Sequence, residues 1–412
     1  MRAAIVTVGD EILLGQIVDT NSAWIADRLS MEGILIVRKT SVGDVEDDIC
    51  SAIQQSFKVA ELVIMTGGLG PTKDDITKKA LAKFFECDMV FSEDTFTRLS
   101  DLFLKRNIPI TAAHKEQCFM PDRAELIINN RGTAPGMWFE FGDRMLCSMP
   151  GVPHEMRYIM ENGVVPRVKD LNRIIFRQKT IRTSGTGESV LAEIIEPILE
   201  GHPVKVAYLP AQGQVRLRLS VEGAKGSEVR IDQILQEAVR ATVGVLGTHV
   251  YGYDHELLEE HVGNLLKSKG LTLGTAESCT GGHISHLITS IPGASAYFRG
   301  TIVAYDNGIK EKILGVKSIT LESHGAVSIQ TVREMVEGAI RVIGCDVAIA
   351  VSGIAGPEGG SDTKPVGTVC IAVGDKSDIK TRQFLFVKDR LLNIKYASMY
   401  ALDMLRKFLS AR

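Results

Sequence analysis

Apolar and polar positions change rhythm along the chain, and the rhythm separates strands from helices. "AAIVTVG" reads as a buried strand, and "NSAWIADRLSMEG" as a helix opened by Asn21 or Ser22 and closed by Gly33. "ILIVRKTSVG" reads as a second strand, residues 47–58 as a helix and "ELVIMTGG" as a third strand. "DDITKKALAKFF" is apolar at helical spacing, so it predicts an amphipathic helix. Strand–helix repetition of this kind predicts a parallel sheet covered on both faces.

The rhythm changes after about residue 170. "QKTIRTSG", the helix "GESVLAEIIEPILEG", the strand "GQVRLRLSVEG" and the helix "SEVRIDQILQEAVRATVG" predict a small α+β module. Val215, Leu217, Leu219 and Val221 alternate with Arg216, Arg218 and Ser220, which predicts one buried and one wet face. Solvated charges on an open sheet face explain the arginines better than a ligand does. Near Gly252 the strand–helix pattern starts again, from the helix "HELLEEHVGNLLKSKG" to a closing helix over residues 390–408. The predicted class is α/β: two three-layer α/β domains, 1–170 and 253–412, joined by a small α+β domain over 171–252.

Composition fits this division. A chain of 412 residues exceeds one ordinary core. With 45% hydrophobic and 24% charged residues it reads as an ordinary globular protein. The formal net charge of −3 carries no basic excess, which argues against nucleic acid as the main partner. Seven scattered cysteines, with no C-x-x-C pair, read as reduced thiols in a cytoplasm without a zinc site. The start "MRAAIVTVGDEILL" is interrupted by Asp10 and Glu11 and is not expected to be a signal peptide. No stretch approaches the roughly 18 apolar residues that span a bilayer.

Three glycine-marked strand ends carry the chemistry of the first domain: "VGDEILLG", "TGGLGPTKDD" and "MPGVPHEM". In open parallel sheets ligands sit beyond the carboxyl ends of the strands. Gly67, Gly68 and Gly70 let backbone approach a ligand closely, and the helix that follows offers N–H groups to phosphate. Asp74 and Asp75 at that helix start are either its caps or ligands of a divalent metal bridging carboxylate and phosphate, with Asp10 and Glu11 as further ligands.

In the last domain the polar density lies in "TAESCTGG", "PGASAYFRGTIVAYDNGIK", "HGAVS" and "VSGIAGPEGGSDTKPVGTV". Glu277, Ser278 and Thr280 end a strand and either cap the next helix or bind a substrate phosphate or oxyanion. The glycine-rich "SGIAGPEGG" reads as a substrate loop or a plain turn cluster. Ser295 precedes the strand "YFRGTIVAYD" and Lys310 follows it. Spacing alone favours a helix-capping serine and a surface lysine.

Together, "VGDEILLGQIVDTNS", "TGGLGPTKDD" and "MPGVPHEM" resemble the CinA (competence/damage-inducible) family, and the resemblance runs in order over essentially the whole chain. It implies a molybdopterin-binding-like N-terminal domain with metal-dependent ADP-ribose pyrophosphatase activity, a KH-like linker domain and a nicotinamide-nucleotide amidase domain. It implies substrate contacts from Asn21, Gly67, Gly68, Gly70, Thr72, Pro150 and Gly151, and a divalent metal (Mg, Mn or Co, with K as a further cation) on Asp10, Glu11, Asp74 and Asp75. In the last domain it implies a metal-free Ser/Lys amidohydrolase. Through the motif Y-x-N-x-x-K, Ser295 becomes the nucleophile, Lys310 its base and Tyr305 a relay, with Ser278 as the alternative nucleophile or a transition-state donor. Glu277, Thr280, Gly281, Asn307, Ser352, Gly353, Gly356 and Arg390 are then the substrate contacts, Arg390 holding phosphate. The chain departs from the family pattern at Asp306, where serine is usual, and at Lys388, where glycine is usual; a carboxylate beside Lys310 favours its charged form. The expected ligands are nicotinamide mononucleotide and ADP-ribose, in a cytoplasmic homodimer. The rival reading is a non-catalytic nucleotide- or pterin-binding protein, its KH-like module docking RNA or a partner; "GTGE" (185–188) lacks the second glycine of a KH clamp.

Overall fold

Six successive buried residues make strand β1 (Arg2–Val8), as a strand covered on both faces requires. The structure, a computed structural model, describes the whole chain except residues 71–74, 106, 170, 172 and 173. Strands β2 (Leu35–Val42) and β3 (Leu62–Thr66) flank β1 and run parallel to it. Strands β4 (Met89–Phe91) and β5 (Phe119–Pro121) form a separate two-stranded sheet. Strands β6 (Glu125–Ile127), β7 (Gly136–Phe141) and β8 (Arg144–Met149) complete the main sheet, whose order among the described residues is β2-β1-β3-β8-β7-β6.

This sheet is mixed rather than parallel as expected: β8 is parallel to β3, but β7 runs antiparallel to both of its neighbours, β8 and β6. Only two residues, Gly142 and Asp143, join the paired ends Phe141 and Arg144, and a link that short joins antiparallel strands only. Gly142 takes φ +63°, which suits glycine at such a turn. The two faces of the sheet carry separate cores. Ala3, Ile5, Leu62 and Ile64 pack with Ile25 and Leu29 of the helix Thr20–Met31. Val6, Val8, Val63 and Met65 pack with Ile49 and Ile53 of the helix Glu46–Phe57 and with Leu81 of the helix Thr77–Phe84. Three layers result, as expected. Asp19, rather than Asn21 or Ser22, caps the first helix by accepting the Ser22 N–H at 2.9 Å.

The described residues separate into two compact units, 1–177 with 221–232, and 178–220 with 233–412. Strands β9 (Ile174–Ser184), β10 (Lys205–Ala211), β11 (Gln214–Ala224) and β12 (Val250–Tyr253) form a sheet of order β10-β11-β9-β12. Val215, Leu217, Leu219 and Val221 are buried as their alternation predicts, although Ser220 on the opposite face is buried too.

The last sheet contains β13 (Leu273–Glu277), β14 (Phe298–Val303), β15 (Val347–Gly353), β16 (Thr368–Gly374) and β17 (Ile379–Leu385), in the order β14-β13-β15-β16-β17. β13, β14 and β15 are parallel; β16 and β17 are antiparallel neighbours. β15 divides its residues between two cores. Val347, Ile349 and Val351 pack on the side of the helices Leu258–Lys269, His283–Thr289 and Arg390–Ser410, and Ala348 and Ala350 on the side of the helix Ile329–Ala339. The closing helix is tied to the α+β module: Asp403 accepts from Ser184 Oγ at 2.5 Å and Arg406 Nη2 at 2.7 Å, and Arg406 donates to Thr248 O at 2.6 Å. None of the described helices is long and apolar enough to cross a membrane.

Candidate functional site

The carboxyl ends of β13 and β14 and the end of β15 open on a cavity of about 180 Å³. Ser278, Tyr305, Asn307, Lys310, Ser352, Gly353 and Arg390 line it, seven residues expected at the amidase site. Cys279, Ala326, Val327 and Ala355 complete the wall.

Ser295 is not among them. It lies exposed in the short turn Ala294–Ala296 before β14, whereas Lys310 sits in the helix Asn307–Lys312 after it. Six strand residues at about 3.3 Å each separate the two by roughly 20 Å, so this chain does not pair Ser295 with Lys310. Two serines share the lysine's cavity: Ser352, whose Oγ donates to Ala326 O at 2.7 Å, and Ser278, held at the end of β13 by its N–H to Val351 O at 2.9 Å.

Lys310 is 1% exposed, in contrast to the surface lysine that spacing alone favoured. Its Nζ donates to Ala304 O at 2.8 Å and to Tyr305 O at 3.1 Å, and no carboxylate forms an ion pair with it among the described residues. Burial therefore pulls its pKa below the ordinary lysine value, against the opposite pull of Asp306 and Cys279. Asp306 is turned into a helix cap, accepting the Gly308 N–H at 2.7 Å, and does not outweigh burial. Cys279 is the other nucleophile type at the wall, but burial pushes its thiol up to about 12, which leaves it protonated and inert.

Four expected substrate contacts have other roles. Glu277 is fully buried and accepts from the N–H groups of Gly282, Ile284 and Ser285 at 2.9–3.1 Å, so it caps the helix His283–Thr289 instead of facing substrate. Thr280 and Gly281 shape the loop behind the cavity without lining it. Thr280 is 3% exposed, and Gly281 takes φ +58°. Gly356 lies outside the cavity lining, its carbonyl accepting from Arg390 Nη1 at 2.7 Å, while Arg390 Nη2 donates to Tyr305 Oη at 3.0 Å. Arg390 thus orients Tyr305.

A larger cavity, about 740 Å³, lies at the ends of β1, β3 and β8 in the first unit. Asp10, Glu11, Asn21, Gly67, Gly68, Gly70, Asp75, Pro150 and Gly151 line it as expected; Thr72 and Asp74 lie outside the described residues. A side chain at Gly67 would place its Cβ 2.0 Å from Val8 O, so only glycine fits there. Asn21 Nδ2 donates to Gly151 O at 2.7 Å, joining the first helix to the loop after β8. Asp75 accepts from Gly70 N–H at 2.7 Å, closing the glycine loop; Ile76, not Asp75, stands at the cap position of the helix Thr77–Phe84.

Sequence reasoning missed Asp44, which follows β2 on the same cavity wall. Asp10 and Asp44 latch each other, each backbone N–H donating to the other's carboxylate at 3.1–3.2 Å. Burial, with Asp10, Glu11 and Asp75 nearby, raises the Asp44 pKa. The signal was present, since "SVGD" ends a strand of the same sheet as "TVGD". Among the described residues no three His, Cys, Asp or Glu converge closely enough to hold a metal ion by themselves.

Known proteins are similar to this chain over its whole length. Residues 4–170 match the family model described as "Probable molybdopterin binding domain", 178–252 the damage-inducible protein CinA KH domain and 255–409 the CinA C-terminal domain. A CinA-like protein from Cytophaga hutchinsonii is 41% identical, covering 98% of this chain and 97% of its own. Another, from Chloroherpeton thalassium, is 41% identical with full coverage of both. A crystal structure of a competence-damaged protein (CinA) superfamily member from Klebsiella pneumoniae 700603 is 35% identical, covers 38% of this chain and 97% of that chain, and has a TM-score of 0.37. With this identity carried from end to end, the chain belongs to the CinA family.

Proposed function

We propose that this chain is a bifunctional hydrolase whose C-terminal domain converts the carboxamide of nicotinamide mononucleotide to a carboxylate and ammonia. The observation that carries the reading is Lys310, a buried amine with no ion-pair partner among the described residues, in one small cavity with Ser278. A neutral amine has two N–H donors and one lone pair. Ala304 O and Tyr305 O accept from Lys310 Nζ, which leaves the lone pair for a proton. Lys310 takes the Ser278 Oγ proton as that oxygen bonds to the carboxamide carbon. The C–N bond then breaks, and the leaving nitrogen takes the proton from Lys310 and departs as ammonia. Water attacks the acyl ester, giving the carboxylate and restoring Ser278. Arg390, exposed at the rim, meets the substrate phosphate.

The N-terminal domain cleaves the diphosphate of ADP-ribose. Its carboxylates suit a divalent cation that arrives with the diphosphate, because magnesium takes one or two carboxylates and fills its shell with phosphate oxygens and water. Asp10, Glu11 and Asp75 line the cavity among the described residues and would hold it, and the cation would supply charge neutralisation at the phosphorus. The KH-like module reads as a brace rather than a nucleic-acid clamp. A Cβ at Gly185 of its glycine turn would meet Asp403 Oδ2 at 2.8 Å and Lys407 Nζ at 2.9 Å, so the last helix already covers the turn. A homodimer in the cytoplasm completes the proposal.

The test is ammonia release from nicotinamide mononucleotide by the full chain, followed by mass spectrometry of protein quenched in turnover. An acyl adduct on the Ser278 peptide is the expected result. An adduct on Ser295, or the absence of ammonia, overturns it.

A further inference from the structure

The segment His324–Ser328 forms part of the cavity wall through Ala326 and Val327, and its backbone is used one-sidedly. Four successive carbonyls are held by side chains. His324 O and Val327 O accept from Lys364 Nζ at 2.6 and 2.7 Å. Gly325 O accepts from Thr331 Oγ1 at 2.8 Å and Ser328 Oγ at 3.1 Å, and Ala326 O from Ser352 Oγ at 2.7 Å. The amides show the opposite. Among the described residues the N–H groups of Ala326, Val327 and Ser328 have no protein acceptor. Ala326 and Val327, half-buried at the cavity wall, thus present two successive free amides to a ligand acceptor. Each peptide unit is planar, with its N–H opposed to its C=O. Holding the Ala326 carbonyl therefore fixes the direction of the Val327 N–H.

We propose that the Ala326 and Val327 amides are the oxyanion donors of the deamidation, with Thr331 and Ser352 as the positioning residues that set them through the Gly325 and Ala326 carbonyls, and Lys364 as the clamp on the flanking His324 and Val327 carbonyls. The ligand is the carboxamide oxygen as it becomes the oxyanion of the tetrahedral intermediate. The inference rests on the proposed Ser278 chemistry. Lys364 can serve in this way because no carboxylate forms an ion pair with it among the described residues, so its donors are free for carbonyls. It comes from the glycine-rich loop between β15 and β16, which also lines the cavity through Ala355.

Preorganised donors act on the transition state more than on the ground state, and loss of one costs on the order of 10²–10³ in kcat. Lys364→Met slackens the amides without deleting them. In the full chain it is expected to lower kcat for nicotinamide mononucleotide about tenfold or more, with KM within about twofold and the melting temperature near that of wild type. Lys364→Arg, which can again donate to both carbonyls, restores most of the rate. Ser352→Ala is expected to behave as Lys364→Met does. Wild-type kcat in Lys364→Met, or a loss carried by KM, overturns the oxyanion assignment while the Ser278 reading stands. A wild-type chain that releases no ammonia overturns both.

Discussion

The two cavities occupy the same place in their sheets, beyond the carboxyl ends of parallel strands, and have opposite electrostatics. The C-terminal cavity, about 180 Å³, holds the buried Lys310 with no ion-pair partner among the described residues; the N-terminal one, about 740 Å³, gathers Asp10, Glu11, Asp44 and Asp75. Burial disfavours charge of either sign. It lowers the Lys310 pKa and raises that of Asp44, so each site holds its key group nearer neutrality. The chemical consequences differ. A neutral amine is a base that can take a serine proton, and crowded carboxylates are a sink for a cation. On the proposed reading, one architecture supports a cation-independent and a cation-assisted hydrolysis.

The largest test of this contrast removes the dyad. Ser278→Ala and Lys310→Ala should each lower ammonia release by several orders of magnitude, and the double variant should be little worse, because nucleophile and base act as one unit. Ser295→Ala should stay near wild type, and ADP-ribose cleavage should be unaffected in all of them. Loss of deamidation in Ser295→Ala would return the nucleophile to that residue.

Next in size is the acidic site. Asp75→Asn keeps an oxygen for the Gly70 N–H but removes charge, and should cut ADP-ribose cleavage about 10²-fold or more. Chelator should do the same, with ammonia release unchanged in both experiments. Equal sensitivity of the two activities to chelator counts against two electrostatically distinct sites.

A smaller effect is the pH dependence of stability. Lys310 has a folded pKa below its unfolded value of about 10.5. Between the two, the unfolded chain binds a proton that the folded chain does not, so unfolding free energy rises with pH in that window. Lys310→Met should flatten this rise in denaturant titrations. An unchanged slope would mean that Lys310 is charged when folded.

The smallest is Asp306. Deamidation should rise with pH and level off above the Lys310 pKa. Asp306→Asn keeps a residue type that caps helices and removes a charge that raises that pKa, so the rising limb should move to lower pH. Solvent screening of this exposed carboxylate keeps the shift modest. A limb that moves upward in kcat/KM profiles contradicts the sign.

Much of this was legible in residue order. Alternating apolar blocks such as "AAIVTVG" and "ELVIMTGG" specify strands because a doubly covered strand tolerates no polar side chain. Glycine-marked strand ends pointed to both cavities, since Gly67 has no room for a Cβ. Strand direction was less legible: β16 runs against both neighbours yet is as continuously buried as β15, so its apolar run carries no sign of direction. Sequence by itself determined the elements, the domain order and the pool of chemical residues, because each depends on local periodicity and chain neighbours. Only the tertiary structure decided which serines share a cavity with Lys310, that Asp44 joins Asp10, and that side chains from three segments hold the His324–Val327 carbonyls. The reason is geometric: β14 carries Ser295 and Lys310 to opposite ends of one strand, while parallel pairing brings the end of β13 beside it, and that pairing is invisible in residue spacing.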